Sequence, residues 1–442
     1  MSNNVDGNDH HQLTNKREYM MSKINLSVSA AFIAACGLLP VQAQAQASDC
    51  SYPIGAVISL SGSMAAIGGA IADAGQLAVD HMNEAGGLLG CKAQYRLRDD
   101  QGLPNVGIDA AKSLVAVEGA QVILGAIQSG VTMPILTSVS VSEKVTQISC
   151  CSSAPSFTEL AREGGTDGYW FRTLPTVRPQ GYVMANLAAD RGYKKVSVIY
   201  VNSDYGLAMA EAFQEAHTAA GGEVEMVAYN QEQASYRAEV SQALRGEPDA
   251  LFLVAFPADG ATAMREWLSF GGTQNILLSN ALRSKEFIDA VGAQYLTTAI
   301  GIDNAQFDGP SVDAFNSSWK DRYGEAPEGP GLHTMYDAAA VALLAAQAAG
   351  SYDGTAIRDN IRKITGPGGE VINPGPEGFA RAIEVLAQGK NITYVGATGP
   401  IEFDQFGDVS GPYLIWGVAD GGELTNIETW NVERVNTLMS DK

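Results

Sequence analysis

The chain has few of the residues on which most enzymes rely. Its five histidines, at 10, 11, 81, 217 and 333, are scattered, two of them ahead of a leader-like segment. It lacks a Gly-x-Ser-x-Gly elbow, a Walker phosphate loop and a His-Glu-x-x-His helix, which removes common signatures of hydrolase, nucleotide and metalloprotease chemistry. Metal ligands at useful spacing are missing as well. The sequence therefore reads as a non-enzyme, with neither a metal nor an organic cofactor. Lys and Arg are scarce: 28 stand against 49 Asp and Glu, for a formal charge of −21. Such a surface repels nucleic acid and anionic lipid, both of which need clustered cations. Hydrophobic residues make up 46% and charged ones 17%, as in ordinary soluble domains, and 442 residues suffice for two cores.

One apolar run is conspicuous. Lys23 precedes residues 24–39, after which come Pro40 and the small-residue stretch Val41-Gln42-Ala43-Gln44-Ala45-Gln46-Ala47. The run is shorter than the roughly 20 residues that a membrane span requires. It has the form of an export signal over residues 1–47, cleaved after Ala45 or Ala47. Ile33-Ala34-Ala35-Cys36 resembles a lipoprotein box, so lipid anchoring at Cys36 is the alternative. No later stretch has the length and apolarity of a membrane span.

From residue 51 onward, short apolar runs alternate with stretches of helical period. Strands are expected at 54–60, 93–98, 122–126 and 146–150, and Ile67, Ile71, Ala74, Ala78 and Met82 mark one buried helix face. The pattern restarts with strands at 195–201, 223–229, 250–255 and 275–279 and helices at 207–220, 236–245 and 261–270. This is the alternation of open parallel sheets. Beyond residue 297 the pattern is harder to assign. An Ala-rich helix is expected over 337–349 and a Gly/Pro-rich loop over 366–378. Four cysteines follow the leader, an even number that suits an oxidising compartment. Cys50 and Cys91 each stand just before a strand, and neighbouring parallel strands start close together, so they can pair. The adjacent Cys150 and Cys151 are expected as two buried thiols at a strand end, with a strained vicinal disulfide as the alternative.

Motifs fall at the ends of these strands. In order they are Ser61-Gly62-Ser63-Met64-Ala65-Ala66-Ile67-Gly68, Asn83-Glu84-Ala85-Gly86-Gly87-Leu88, Asp99-Asp100-Gln101-Gly102, Gly125-Ala126-Ile127-Gln128-Ser129-Gly130-Val131 and Ser203-Asp204-Tyr205-Gly206. The ordered series resembles the periplasmic solute-binding proteins of branched-chain amino acid ABC transporters and covers almost the whole exported chain. The resemblance implies a type I periplasmic-binding-protein fold. That fold has two Rossmann-like α/β lobes with mostly parallel sheets, crossed three times, here near Pro175, Ile300 and Tyr413. One lobe would hold 48–174 plus 300–413, and the other 175–299 plus 414–442. The function it implies is an exported, monomeric substrate-binding component of an ABC importer. Such a protein captures a small organic solute by hinge closure and delivers it to a permease in the inner membrane. A sensory binding protein with the same cleft is the alternative, and an α/β hydrolase is disfavoured because no nucleophile is found. Asp99-Asp100 could serve as an acid/base pair, but a polar strand-end turn is the preferred reading.

The resemblance also places a cleft. Residues matching Ser129, in a motif with Gly130, and Ser153 hold the ligand carboxylate, and Ser152 is an equally good candidate for the second position. The match to Tyr205 closes over the ligand, Phe256 matches an aromatic cleft position, and Ile67 stands where the family usually has an aromatic ring. Amino-acid-binding members carry an acid where this chain has Asn280, and a buried ammonium without an anion is strongly destabilised. Either Asp204 or Asp259 takes over, or the ligand lacks an α-ammonium. The second reading is slightly favoured, which points to a carboxylic acid or an amide.

Overall fold

The structure, a computed structural model, describes residues 50–440. The expected leader over 1–47, with its cleavage sites and Cys36, lies outside the described residues. The first five strands are β1 (Ser51–Ile58), β2 (Lys92–Asp99), β3 (Val122–Gly125), β4 (Thr146–Ser149) and β5 (Trp170–Arg172). They pair in parallel in the order β2-β1-β3-β4-β5. β3 and β4 are buried along their whole length, which is why they read as unbroken apolar runs without alternation.

A second parallel set repeats the arrangement with β6 (Lys195–Val201), β7 (Glu223–Tyr229), β8 (Ala250–Val254), β9 (Ile276–Leu278) and β10 (Ile300–Asn304). A small sheet follows, made of β11 (Glu370–Ile372), β12 (Ile392–Gly396) and β13 (Gly399–Pro400). The antiparallel β14 (Tyr413–Val418) and β15 (Leu424–Trp430) then complete the second large sheet, ordered β15-β14-β10-β9-β8-β6-β7. The parallel parts of both sheets therefore share one strand order, with a topological switch between β1 and β3 and between β6 and β8.

The predicted helix face is buried in full: Ile67, Ile71, Ala74, Ala78 and Met82 lie in the core on the helix Ala65–Glu84. That helix packs on the Ala-rich Leu332–Ala349, which starts five residues earlier than 337–349 predicts. A buried carboxylate fixes the latter: Asp337 accepts from Tyr394 Oη, Ala397 N, Thr398 N and Thr398 Oγ1 at 2.6–2.9 Å. Gly68 and Gly206 occupy matching places in the two halves. A Cβ on either would collide with a strand-end carbonyl, Ser59 O or Val201 O, so both helices start hard against the strand that precedes them.

Three sequence expectations need correction. β10 pairs with β9 and β14 in the second sheet, so the crossing expected at Ile300 falls after Asn304, and 300–304 do not join the first lobe. Residues 366–378 are not simply loop, since β11 lies within them and Pro376 opens the helix Pro376–Ala387, where proline is favoured. Cys150 and Cys151 are joined as a vicinal disulfide rather than standing as two thiols.

The crossing segments lie side by side. Ala305 N donates to Pro412 O at 2.9 Å, and Tyr413 Oη donates to Thr176 O at 3.4 Å. Cys50 and Cys91 form a disulfide at the start of the paired β1 and β2, with Cα atoms 5.2 Å apart. It closes a separation of 41 residues, and chain entropy assigns such a loop about 4 kcal/mol. The double variant Cys50→Ser/Cys91→Ser is expected to lose stability by up to that amount in denaturant titrations. An unchanged midpoint would show that the bridge adds nothing.

Candidate functional site

Ligands of open parallel sheets bind beyond the carboxyl ends of the strands, at the switch point. Here two such edges face each other and enclose a cleft of about 670 Å³, its mouth included. Its lining follows strand order. Met64 and Ile67 come after β1, Ile127, Gln128 and Ser129 after β3, Cys150 and Cys151 after β4, and Leu174 after β5. From the other side, Tyr205 follows β6, Phe256 follows β8, Asn280 and Ala281 follow β9, and Asp303 and Asn304 end β10. Of the ten parallel strands, β2 and β7 alone are followed by no lining residue, and each stands at the edge of its sheet. The start of Leu332–Ala349 closes the cleft with Gly331, His333 and Thr334.

On the first wall, Ser129 opens its helix, is 3% exposed, and accepts from Ala154 N at 3.3 Å. Ser152 does not reach the cleft. Its hydroxyl lies 2.6 Å from Thr132 Oγ1 and 3.2 Å from the carbonyls of Ala126 and Ile127. Ser153 is also outside the lining, and its Oγ is buried without a hydrogen-bond partner. Gly130 is exposed and lines an adjoining groove with Asn202 and Asp204. Of the expected first-wall groups, the structure brings Ser129 and Ile67 to the cleft and leaves Ser152, Ser153 and Gly130 out of it.

Arg172 holds this loop in place. Fully buried, it donates from Nη1 to Ser152 O and Ala154 O, from Nη2 to Thr158 Oγ1 at 2.8 Å, and from Nε to Asp408 Oδ1 at 2.7 Å. The loop that carries Cys150 and Cys151 is thus tied to the segment just before the last crossing.

The second wall brings together all three residues expected of it. Tyr205 and Phe256 stack with ring centroids 5.8 Å apart, and Tyr205 Oη donates to Asn280 Oδ1 at 2.7 Å. Burial raises the Tyr205 hydroxyl above its ordinary value, which keeps it a donor. The acids proposed from sequence as substitutes for the missing carboxylate are elsewhere. Asp204 accepts from Ser156 Oγ at 3.1 Å outside the cleft, and Asp259 accepts from Tyr236 Oη and Glu232 N.

Sequence reasoning missed Asp303. It lies 3% exposed on the cleft wall, its Oδ1 accepting from Asn304 N at 2.7 Å and its Oδ2 at 3.5 Å from Arg283 Nη1. Burial pushes its carboxyl up to about 6, against the pull of the Arg283 guanidinium. His333, also on the wall, is pushed down to about 3 by burial and by Arg283, so it is neutral at pH 7. The signal that could have found Asp303 is an acid at the end of an otherwise apolar strand. Asp99 and Asp100 hold turns: Asp99 accepts from Leu60 N, Ser61 Oγ and Gln101 N, and Asp100 from Ser59 Oγ and Gly102 N.

Comparison with known proteins follows this geometry. Residues 51–382 match the family described as periplasmic binding protein. The chemotactic signal transduction system substrate-binding protein BasB of Halobacterium salinarum is 28% identical over 378 residues, 84% of this chain and 87% of its own. The Leu/Ile/Val-binding protein BraC3 of Rhizobium johnstonii is 28% identical over 253 residues, 56% of this chain and 67% of its own. Among solved structures, the leucine binding protein LivK of Thermotoga maritima superposes with a TM-score of 0.72 at 22% identity, covering 86% of this chain and 99% of that one. That last likeness shows the same α/β fold with mostly parallel sheets.

Asp408→Ala leaves the Arg172 guanidinium buried without its counter-charge, a change that costs about 3–5 kcal/mol. Urea denaturation should register a loss of that size. A loss below about 1 kcal/mol, the range of an exposed pair, would show that the bridge does not hold the loop.

Proposed function

Because the chain belongs to the periplasmic binding protein family, we propose that it is the exported solute-binding component of an ABC importer, closing on its ligand at the hinge. The observation that carries this reading is the cleft itself, formed where both sheets reach their switch points. Apolar residues from both walls (Ile67, Ile71, Ile127 and Leu174 facing Phe256) are joined by a few polar groups, the composition of a small-molecule site. Ser129 supplies a hydroxyl to the ligand carboxylate, and Tyr205 with Asn280 covers it from the opposite wall. Ser153, whose Oγ has no partner, is the second carboxylate donor once the walls adjust around ligand. The leader over 1–47 delivers the protein to the periplasm, where an inner-membrane permease receives the solute. Among the described residues no helix is long and apolar enough to cross a membrane.

The ligand class supported by this lining is a compact apolar amino acid, in keeping with the names of BraC3 and LivK. The likeness to BasB supports a second use of the same cleft, in chemotactic signalling. Deleting the gene separates the two. Loss of radiolabelled leucine uptake supports import, while intact uptake with a lost tactic response supports sensing.

Thermal unfolding of the purified protein against L-leucine, L-isoleucine, L-valine and L-phenylalanine tests the ligand class. A ligand at about 100 times its dissociation constant stabilises by about 2.7 kcal/mol. No shift with any of the four would dismiss the apolar amino acid reading. Ser129→Ala is expected to weaken the best of them roughly tenfold, the loss of one hydrogen bond to a charged group, in a protein that still folds cooperatively without ligand but melts somewhat lower because Ala154 N loses its acceptor. Full affinity in that variant would remove Ser129 from the site.

A further inference from the structure

Resting on the solute-binding reading above, we infer that Asp303 is the counter-charge for a ligand ammonium, so the cleft selects solutes with a primary amine beside an apolar body. Among the described residues it is the one charged side chain on the cleft wall, since no Lys, Arg or Glu and no other Asp lines it. Asn280, where an acid is expected by resemblance, is uncharged, and its carbonyl oxygen already accepts from Tyr205 Oη. The acid has therefore moved from the turn after β9 to the end of the neighbouring strand β10, within the same wall.

The surroundings of Asp303 are those of an unfinished site. An ionised carboxylate offers about four lone-pair positions, and a buried one is costly unless they are filled. Asp303 receives one backbone hydrogen bond and faces Arg283 at 3.5 Å, an ion pair too long to be a good hydrogen bond. Arg283 approaches from the adjoining groove, which it lines with Ser284 and Lys285, and does not line the cleft. One backbone bond and one long ion pair leave part of the acceptor capacity of this cleft-lining carboxylate unfilled. An ammonium donating there supplies the missing short, charge-assisted bonds. An anion or a deaminated acid brought to the same place would meet like charge. The apolar residues Ile67, Ile71, Leu174 and Phe256 receive the rest of the molecule.

Calorimetric titration of the purified protein tests this with two pairs of probes: L-leucine against 4-methylpentanoate, and L-phenylalanine against 3-phenylpropanoate. The wild type is expected to prefer the amino acid of at least one pair by about 100-fold or more, the size of effect set by a buried charge pair. Asp303→Asn should bring the two members of that pair within about threefold of each other. Since that change leaves Arg283 unpaired, Asp303→Asn/Arg283→Met removes both charges and should give the same levelling in a variant whose circular dichroism confirms folding. Asp303→Asn/Asn280→Asp should restore the preference at least tenfold. Retention of the preference in both Asp303→Asn and Asp303→Asn/Arg283→Met overturns the assignment while leaving the amino acid reading intact. Equal binding of acid and amino acid by the wild type overturns it too. Binding of no probe by the wild type overturns the ligand class and this assignment together.

Discussion

The cleft depends on one buried cation. Arg172, at the end of β5, has nowhere to put its charge except into the protein, and each donor it extends finds a carbonyl, a hydroxyl or the Asp408 carboxylate. Its own backbone N–H donates to Gly407 O at 2.9 Å. The guanidinium thus joins three things that are far apart in sequence: the loop at the end of β4, the strand that precedes the first crossing, and the segment that precedes the last. A buried ion pair adds little net stability compared with apolar packing, but half of one is strongly destabilising. The arrangement therefore holds or fails as a unit. It ties the wall of the cleft to the segment that precedes the last crossing.

Much of this was legible in the sequence, and the failures have physical reasons. The alternation of apolar runs and helical periods gave both parallel sheets, because strands buried on both faces leave a strong signal. The region after residue 297 resisted for the opposite reason. β11 is three residues long with Val371 60% exposed, so no alternating burial marks it, and Pro376 reads equally well as a loop residue or a helix start. Ser129, Tyr205, Phe256, Ile67 and Asn280 were reached through the family resemblance that the ordered strand-end motifs carry. Ser152 stood in an equally good motif, but its hydroxyl is taken by three local partners, a fact that spacing does not carry. Asp303 was hidden because β10 was read as a crossing. Its value comes from neighbours on two other segments that only the folded chain assembles.

The mouth of the cleft is bridged lightly. Ser63 Oγ donates to Gln231 Oε1 at 2.8 Å, and Ser156 Oγ donates to Asp204 Oδ2 at 3.1 Å. Bonds of this kind, partly open to water, are worth about 0.5–1.5 kcal/mol each. If the cleft closes on its ligand as proposed, bonds this weak leave the choice between open and closed forms to a ligand that touches both walls, through its differential contacts. A cleft sealed by apolar surface would close without cargo.

The vicinal disulfide gives the first wall a property that no other lining residue has. Closing a bond between Cys150 and Cys151 makes a small ring of backbone and sulfur, so both side chains lose the rotamer freedom that cleft residues ordinarily keep. Part of the cavity is then a fixed plate whose shape is set by the oxidation state of the compartment in which the chain matured. Protein recovered from a reducing cytosol and protein recovered from an oxidising space would share a sequence and a fold yet present two different surfaces to the same molecule. The oxidation state in which a sample matured is thereby part of the shape of its lining.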